Sequence, residues 1–460
     1  MVKNMKAKES RLICHELNST NLVVYHSLQN QPQQIEFEDE QDKLVFVSAI
    51  NEGLVETGVE SVDAITLLTD EEARLATLLK KRNYLSKTSQ RLNFLSLMTA
   101  ENCNLGCSYC IAAMNMDEAK KNKSVIMSWD IAKRGLDWYF SLPTIAKEYY
   151  VNFSGGEPLV NKKIVVQAVE YIRSLKKDKP IRITINTNAT LIDDDLAKFF
   201  ADNRVEIATS LDGTPDASDM VRVTKKGLPA SENIISGWRR LIAAGCELTG
   251  FMATFNDQNI KYLDAGIIDF ALEMGFSWVR IAPDVIHLVE YPLEDIIERI
   301  WAVYTYGTEK GVKVEGFWST PIHNMLYRER IPDGVGFFCG AVSGETASIH
   351  PDGRISACGF SSGNFGSILN DEPFDWNKHR NFVAEYFPGS RDFCEGCSIE
   401  GSCAGGCNIT REVSISTRDE SAIFYNCDMY RELTRRLLID HFVGNRLEYS
   451  DNGSSHNIGY

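Results

Sequence analysis

Between residues 92 and 282 short apolar runs alternate with amphipathic stretches, six times over, and this alternation limits the fold more than any other feature. The runs are Leu92–Thr99, Tyr149–Phe153, Ile181–Thr187, Val205–Ser210, Leu248–Thr254 and Trp278–Ala282. Each is strand-length, and Leu92–Thr99 is a short apolar run fit for a buried strand. Helix-periodic segments lie between them near 129–142, 162–176, 193–202, 232–244 and 259–274, and Ser128 is placed to cap the first. Strands separated by helices imply parallel βα units, so the expected fold class is α/β, a partial (β/α)6 barrel. Its chemistry belongs at the C-terminal strand ends.

The cysteines fall into two groups. Cys103, Cys107 and Cys110 follow the first strand, and Cys339, Cys358, Cys394, Cys397, Cys403, Cys407 and Cys427 lie near the C-terminus; Cys14 and Cys246 stand apart and read as ordinary buried thiols. The N-terminus has no apolar signal-peptide core and no window is long and apolar enough for a membrane span, which places the expected protein in the cytoplasm. Thiols there stay reduced, so twelve cysteines point to metal ligation rather than disulfides. The Cys103-x3-Cys107-x2-Cys110 triad supplies three thiolates to a four-iron cube and leaves one iron open. A structural zinc site would need a second cysteine pair close by, and none is present.

After the second strand comes Gly155-Gly156-Glu157-Pro158. Asn186-Thr187-Asn188 ends the third strand, and Ser210-Leu211-Asp212-Gly213 ends the fourth. With the cysteine triad and Tyr109 before its last member, residues 92 to about 300 resemble the radical S-adenosylmethionine (SAM) superfamily. The resemblance implies a [4Fe–4S] cluster on Cys103, Cys107 and Cys110. It implies SAM contacts from Gly155, Gly156, Glu157, Pro158, Asn188, Ser210 and Arg222, with Glu157 near the amino group and Arg222 near the carboxylate. Turn-capping is the alternative for Ser210 and an ion pair the alternative for Arg222. Reductive cleavage of SAM then gives methionine and a 5′-deoxyadenosyl radical.

The spacing Cys339-x13-Gly353-x4-Cys358, Cys394-x2-Cys397-x5-Cys403-x3-Cys407 and Cys427 resembles the SPASM domain of radical SAM enzymes that modify peptides and proteins. That resemblance implies two auxiliary [4Fe–4S] clusters, three clusters in all. Cys339, Cys358 and Cys407 would hold the first, and Cys394, Cys397, Cys403 and Cys427 the second. Seven thiolates are one short of eight, so the first auxiliary cluster is expected to have an open iron or an oxygen ligand such as Glu345.

The expected division is an N-terminal block over 1–91, the barrel over 92–325, the SPASM segment over 326–443 and a loose polar tail over 444–460. In the first block, strands are expected at 21–27 and 34–37, a helix from Asp70 to Lys81 and a last strand at 84–86. Together they read as a small winged-helix-like α+β module. A formal charge of −15 argues against a nucleic-acid partner. The leading expectation is a maturase that cross-links a ribosomally made precursor peptide through a thioether or carbon–carbon bond. The N-terminal block would bind the leader, and a flavodoxin or ferredoxin would supply electrons. The catalytic acid or base is not assigned. One alternative is an anaerobic sulfatase-maturating enzyme; such enzymes carry an aspartate directly after the counterpart of Cys358, where this chain has Gly359. The other is a non-catalytic metal-binding protein.

Overall fold

A computed structural model describes residues 12–29, 31–51, 70–111, 125–284, 288, 290–327 and 331–444; the expected tail beyond Gly444 lies outside these residues. The six expected strands are β4 (Phe94–Ala100), β5 (Tyr149–Gly155), β6 (Ile181–Thr187), β7 (Val205–Thr209), β8 (Gly250–Phe255) and β9 (Trp278–Pro283), preceded in the chain by β1 (Leu12–Glu16), β2 (Asn21–His26) and β3 (Gln33–Glu36). β4 to β7 pair in parallel in sequence order, and β8 pairs in parallel with β9. The two halves meet at a parallel bridge between Ser210 and Met252, reinforced by Leu211 N–H donating to the Met252 carbonyl at 3.0 Å. The result is an open arc of six parallel strands.

The helices on its outer face are α3 (Trp129–Ser141), α4 (Lys162–Ser174), α5 (Asp194–Asp202), α6 (Ser231–Ala243) and α7 (Gly266–Glu273), following α1 (Glu40–Asn51) and α2 (Asp70–Ser86). Ser128 caps α3 by accepting from Ile131 N–H at 3.3 Å, and Asp193 caps α5 from Leu196 N–H at 2.8 Å. The expected helix over 259–274 is broken, because the Asn259 side chain turns back to bond Asn256 N–H and the Thr254 carbonyl. Leu95 and Leu97 face the helices, while Ser96, Asn152 and Thr184 form a buried hydrogen-bonded chain on the inner side.

Two additions extend the arc at its ends. β10 (Lys313–Glu315) adds in parallel to β9, following helix α8 (Leu293–Lys310). At the other end β11 (Thr346–Ile349) adds in parallel to β4, and the hairpin continues into β12 (Arg354–Ser356) and β13 (Gly366–Ser367). The cysteine-rich segment is thus continuous with the barrel sheet. Gly135 of α3 sits so close that a Cβ there would lie 2.5 Å from Ile349 of β11. After β13 the chain is helical and loop-rich, ending in α9 (Asn408–Thr417) and α10 (Ser421–Gly444).

In the N-terminal block, β1, β2 and β3 form an antiparallel sheet with β2 central. β2 is buried on both sides: Leu22 and Val24 pack in a small separate cluster, Val23 and Tyr25 in the main core. Residues 84–86, expected as a strand, are instead the last turn of α2. Ala73, Thr77 and Tyr84 recur at helical spacing on its buried face, and that periodicity overrides the local β-preference of a tyrosine. Tyr84 then anchors the block. Its hydroxyl donates to the Ser343 carbonyl at 2.9 Å, the Arg91 guanidinium lies 3.5 Å from its ring centroid, and Phe337 packs at 5.0 Å.

Removing this anchor leaves a large void between α2 and the C-terminal segment. We expect Tyr84→Ala to cost about 3–5 kcal/mol of stability and to expose α2 to limited proteolysis before the barrel. Unchanged urea midpoint and cleavage pattern would contradict this anchoring role.

Candidate cofactor and cluster sites

The cysteine loop after β4 is held against the strand ends by backbone. Gly156 N–H donates to the Ala100 carbonyl at 2.9 Å and Glu157 N–H to the Asn102 carbonyl at 3.2 Å. A Cβ on Gly155, whose φ is +138°, would lie 2.1 Å from the Ala100 oxygen, and one on Gly156 2.7 Å from Asn102. The glycine pair is therefore required first by the approach of two chain segments. From the other side, Gly106 N–H reaches the Val223 carbonyl at 2.7 Å and Ser108 N–H the Val221 carbonyl at 3.0 Å.

Glu157 is buried. Its carboxylate accepts from Leu159 N–H at 3.0 Å, the Thr187 hydroxyl at 2.7 Å and Asn188 N–H at 2.7 Å. Burial raises its pKa to about 7, against the pull of those three donors. A ligand ammonium beside it would favour the ionised form. Pro158 starts the following turn, and its carbonyl accepts from the Thr99 hydroxyl at 3.1 Å. Ser210 is half-buried at the β7 end.

Asn188 is already occupied. Its Oδ1 accepts from Thr190, and its Nδ2 donates to Asn104 Oδ1 at 3.0 Å and lies 3.7 Å from Cys103 Sγ. It positions the cysteine loop. On this rim the amide oxygens of Asn186 and Asn102 are buried without a partner, one at the β6 end and one beside the cysteine loop. Two orphan acceptors on this rim fit a ligand rich in N–H and O–H donors, as SAM is, and Asn186 is a contact that the sequence reading passed over.

Arg222 is not at the surface. Its Nε and Nη2 engage the two oxygens of the fully buried Asp212 at 3.1 and 3.0 Å, and Nη2 also meets the Tyr109 hydroxyl at 2.5 Å. Tyr109 donates to Asp212 at 2.6 Å, and Thr254 N–H adds a further bond to that carboxylate. An ion pair is thus the established contact of Arg222, and its charge also reaches Cys107 and Glu157. A ligand carboxylate would have to meet Nη1.

Cys339, Cys358 and Cys407 lie in one another's fields, and Cys394, Cys397, Cys403 and Cys427 form a second nest. Burial raises Cys103 and Cys339 to about 12 and Cys107 and Cys427 to about 11. Such thiols ionise when a cation arrives. Backbone N–H groups wait for the sulfurs: Leu105 for Cys103, Ala341 and Val342 for Cys339, Phe360 for Cys358, and Ile409 and Thr410 for Cys407. Among the described residues no three His, Cys, Asp or Glu side chains converge as ligands of one metal ion. A cubane asks for thiolates spread around its corners, each on a different iron, and the nests fit that demand. Of the lone cysteines, Cys246 is buried and Cys14 half-buried.

Glu345, named as an oxygen ligand, instead faces Ser343 and the Arg91 charge. The carboxylate nearer the first nest is Glu412, whose charge reaches Cys358 and Cys407; it is saturated by Ser361, Ser362 and Asn408. Two further rim groups gave no motif to read. His350, at the β11 end, bonds Ser356 at 2.9 Å and Arg354 at 3.1 Å, with Glu101 at 3.7 Å. Arg280 on β9 lies 4.3 Å from the Phe317 ring centroid and in the field of Cys339.

A carboxyl whose folded pKa is raised binds its proton more tightly folded than unfolded, so ionisation opposes folding. For ligand-free protein, the stability of wild type relative to Glu157→Gln should fall as pH rises from about 4.5 to about 7. Parallel stability curves across that window would contradict the burial penalty.

Residues 97–266 match the Radical SAM superfamily. The chain is 26% identical over 373 residues to a radical SAM cyclopropyl synthase, TigE, of Paramaledivibacter caminithermalis, covering 78% of this chain and 76% of that one. It is 23% identical over 371 residues to a cysteine-type anaerobic sulfatase-maturating enzyme of Clostridium perfringens, covering 74% and 95%. Its fold resembles that of Streptococcus suis SuiB, solved bound to the precursor peptide SuiA, with a TM-score of 0.51 at 16% identity over 89% and 97% of the two chains. Among the described residues no helix is long and apolar enough to cross a membrane. The matching domain and the likeness to these enzymes set aside a non-catalytic role: the chain is an enzyme of the radical SAM class.

Proposed function

We propose that this enzyme is a peptide maturase that removes hydrogen from a ribosomally made precursor and closes a thioether or carbon–carbon cross-link. The observation that supports the reading is the β11–β4 pairing, which makes the segment bearing Cys339 and Cys358 continuous with the barrel sheet. There a cysteine-held group can serve a radical formed over the barrel. The likeness to a cyclopropyl synthase over most of both chains supports carbon-centred chemistry.

The division of labour follows from the residues. Cys103, Cys107 and Cys110 would hold the SAM cluster, with Gly155, Gly156, Glu157, Pro158, Asn186, Ser210 and Arg222 around the ligand. Bound SAM, reduced through its cluster by a flavodoxin or ferredoxin, supplies the 5′-deoxyadenosyl radical. Cys339, Cys358 and Cys407 would hold one auxiliary cluster, and Cys394, Cys397, Cys403 and Cys427 the other. The His350–Arg354–Glu101 group lies by the ends of β4 and β11, where it would hold a proton or orient a substrate amide.

The sulfatase-maturating reading is favoured by likeness over the full length of such an enzyme. Gly359 weighs against it. A Cβ on Gly359 would lie 2.3 Å from Met98 Sδ, so an aspartate base beside Cys358 would require the Met98 side chain to move.

The N-terminal sheet supports leader binding. Among the described residues β3 pairs only with β2, and Phe37 N–H donating to Thr20 at 2.8 Å sets the alternation so that the N–H groups of Gln34 and Glu36 point away from the sheet. An extended leader can add there as a further strand.

Three outcomes are expected. Anaerobically reconstituted protein with dithionite cleaves SAM to 5′-deoxyadenosine, and Cys103→Ala, Cys107→Ala or Cys110→Ala each abolish cleavage; persistence in the triple variant would end the reading. With its precursor, the product loses two hydrogens per cross-link and does not react with a hydrazine, whereas a formylglycine product would. Gln34→Pro should retain SAM cleavage yet bind precursor at least tenfold more weakly, measured by fluorescence polarisation. Equal affinity would remove β3 as the docking edge.

A further inference from the structure

Arg391 is a buried arginine without the anion that burial calls for. Only 8% of it is exposed, and its Nε and Nη2 are buried with no acceptor in the protein. Its guanidinium lies 3.8 Å from the Tyr386 ring centroid, and its charge acts on the Cys394 thiol. The chain makes room for it. Gly405 has φ +83°, and a Cβ there would lie 2.4 Å from Arg391 Cδ. A guanidinium desolvated with two idle donors costs several kcal/mol unless a negative group sits against it.

A second arginine approaches the same nest from another side. Arg431 lies one helical turn after Cys427 on α10, donates through Nη1 to Cys397 Sγ at 3.8 Å, and acts on Cys427 as well. It is half-exposed and paired with Asp428.

We propose that Arg391 and Arg431 clamp the second auxiliary cluster, one from the Cys394 side and one from the Cys397 and Cys427 side, and raise its reduction potential. The inference rests on the reading that Cys394, Cys397, Cys403 and Cys427 hold a [4Fe–4S] cluster. A cubane with four thiolates is an anion, and it becomes more negative on reduction. Donors and positive charge at its sulfurs therefore favour the reduced form. Arg391 supplies this from a dry wall, where the effect is strong, and Arg431 from a half-exposed position, where solvent screens it.

The test uses full-length protein carrying Cys103→Ala, Cys107→Ala and Cys110→Ala, which leaves only the auxiliary clusters, with Arg391→Met or Arg431→Gln added. Iron content and the midpoint of reduction are read by chemical analysis and by paramagnetic resonance during a redox titration. The parent should hold about eight irons. Arg391→Met should make one cluster at least tenfold harder to reduce, about 59 mV for a one-electron couple, with a smaller change in the same direction for Arg431→Gln. Unshifted midpoints with full iron content overturn the clamp. Should Arg391→Met shed iron, Arg391→Lys and Arg431→Gln decide: the first keeps the charge and stays near the parent midpoint, the second moves down, and an unmoved Arg431→Gln overturns the proposal. A parent whose iron content is unchanged by Cys394→Ala with Cys403→Ala would instead remove the second auxiliary cluster itself, a failure distinct from that of the arginines.

Discussion

The buried carboxylate of Glu157 is the constraint on which the site depends. Its three acceptor bonds join the turn after β5 to the end of β6, at Thr187 and Asn188. The two glycines before it let the same turn lie against Ala100 and Asn102, at the root of the cysteine loop. Asn188, fixed through its backbone by Glu157, then uses its side chain to hold Asn104 next to Cys103. Loop, turn and strand ends form one hydrogen-bonded unit. That is the rigidity a site needs if a reactive radical is to form in one place and meet one hydrogen.

Much of the barrel was legible because strand-length segments alternate with helix-periodic ones, and the bounds expected for Ile181–Thr187 are those of β6. What escaped was short or set by distant contacts. β10 spans three residues and β12 three, too few for any periodicity, and β11 is a strand because β4 offers it an edge. α1 carries mixed charge and apolar residues with little stripe, and residues 84–86 looked like strand until Tyr84 is seen in register with Ala73 and Thr77. At the site, motif reading marked the ends of β5, β6 and β7 and assigned Asn188 to the ligand, whereas its amide is already consumed by Thr190 and Asn104. Asn186, two residues earlier, keeps the unpaired oxygen. Sequence marks the segment; only geometry tells which amide is idle.

The same distinction applies to charge. Arg222 and Arg391 are both buried arginines, yet Arg222 has Asp212 and Tyr109, whereas Arg391 has two donors facing no protein acceptor. One is a structural pair and the other is the residue proposed to clamp the second cysteine nest. The continuity of β11 with β4 gives these parts a common frame: SAM site, first auxiliary nest and N-terminal sheet all attach to one core, with Val23 and Tyr25 of β2 packed into it. A peptide held at the β3 edge would be presented by a platform fixed to the barrel rather than by a tethered module.

The most direct measurement of the central claim is transfer of the abstracted hydrogen. A precursor peptide deuterated at the residues of its core, incubated with reduced enzyme and SAM, should deliver deuterium to the 5′ carbon of 5′-deoxyadenosine in step with formation of the cross-linked product. SAM cleavage that proceeds at full rate while the 5′-deoxyadenosine carries no deuterium, whichever core position is labelled, would contradict a peptide as the hydrogen donor.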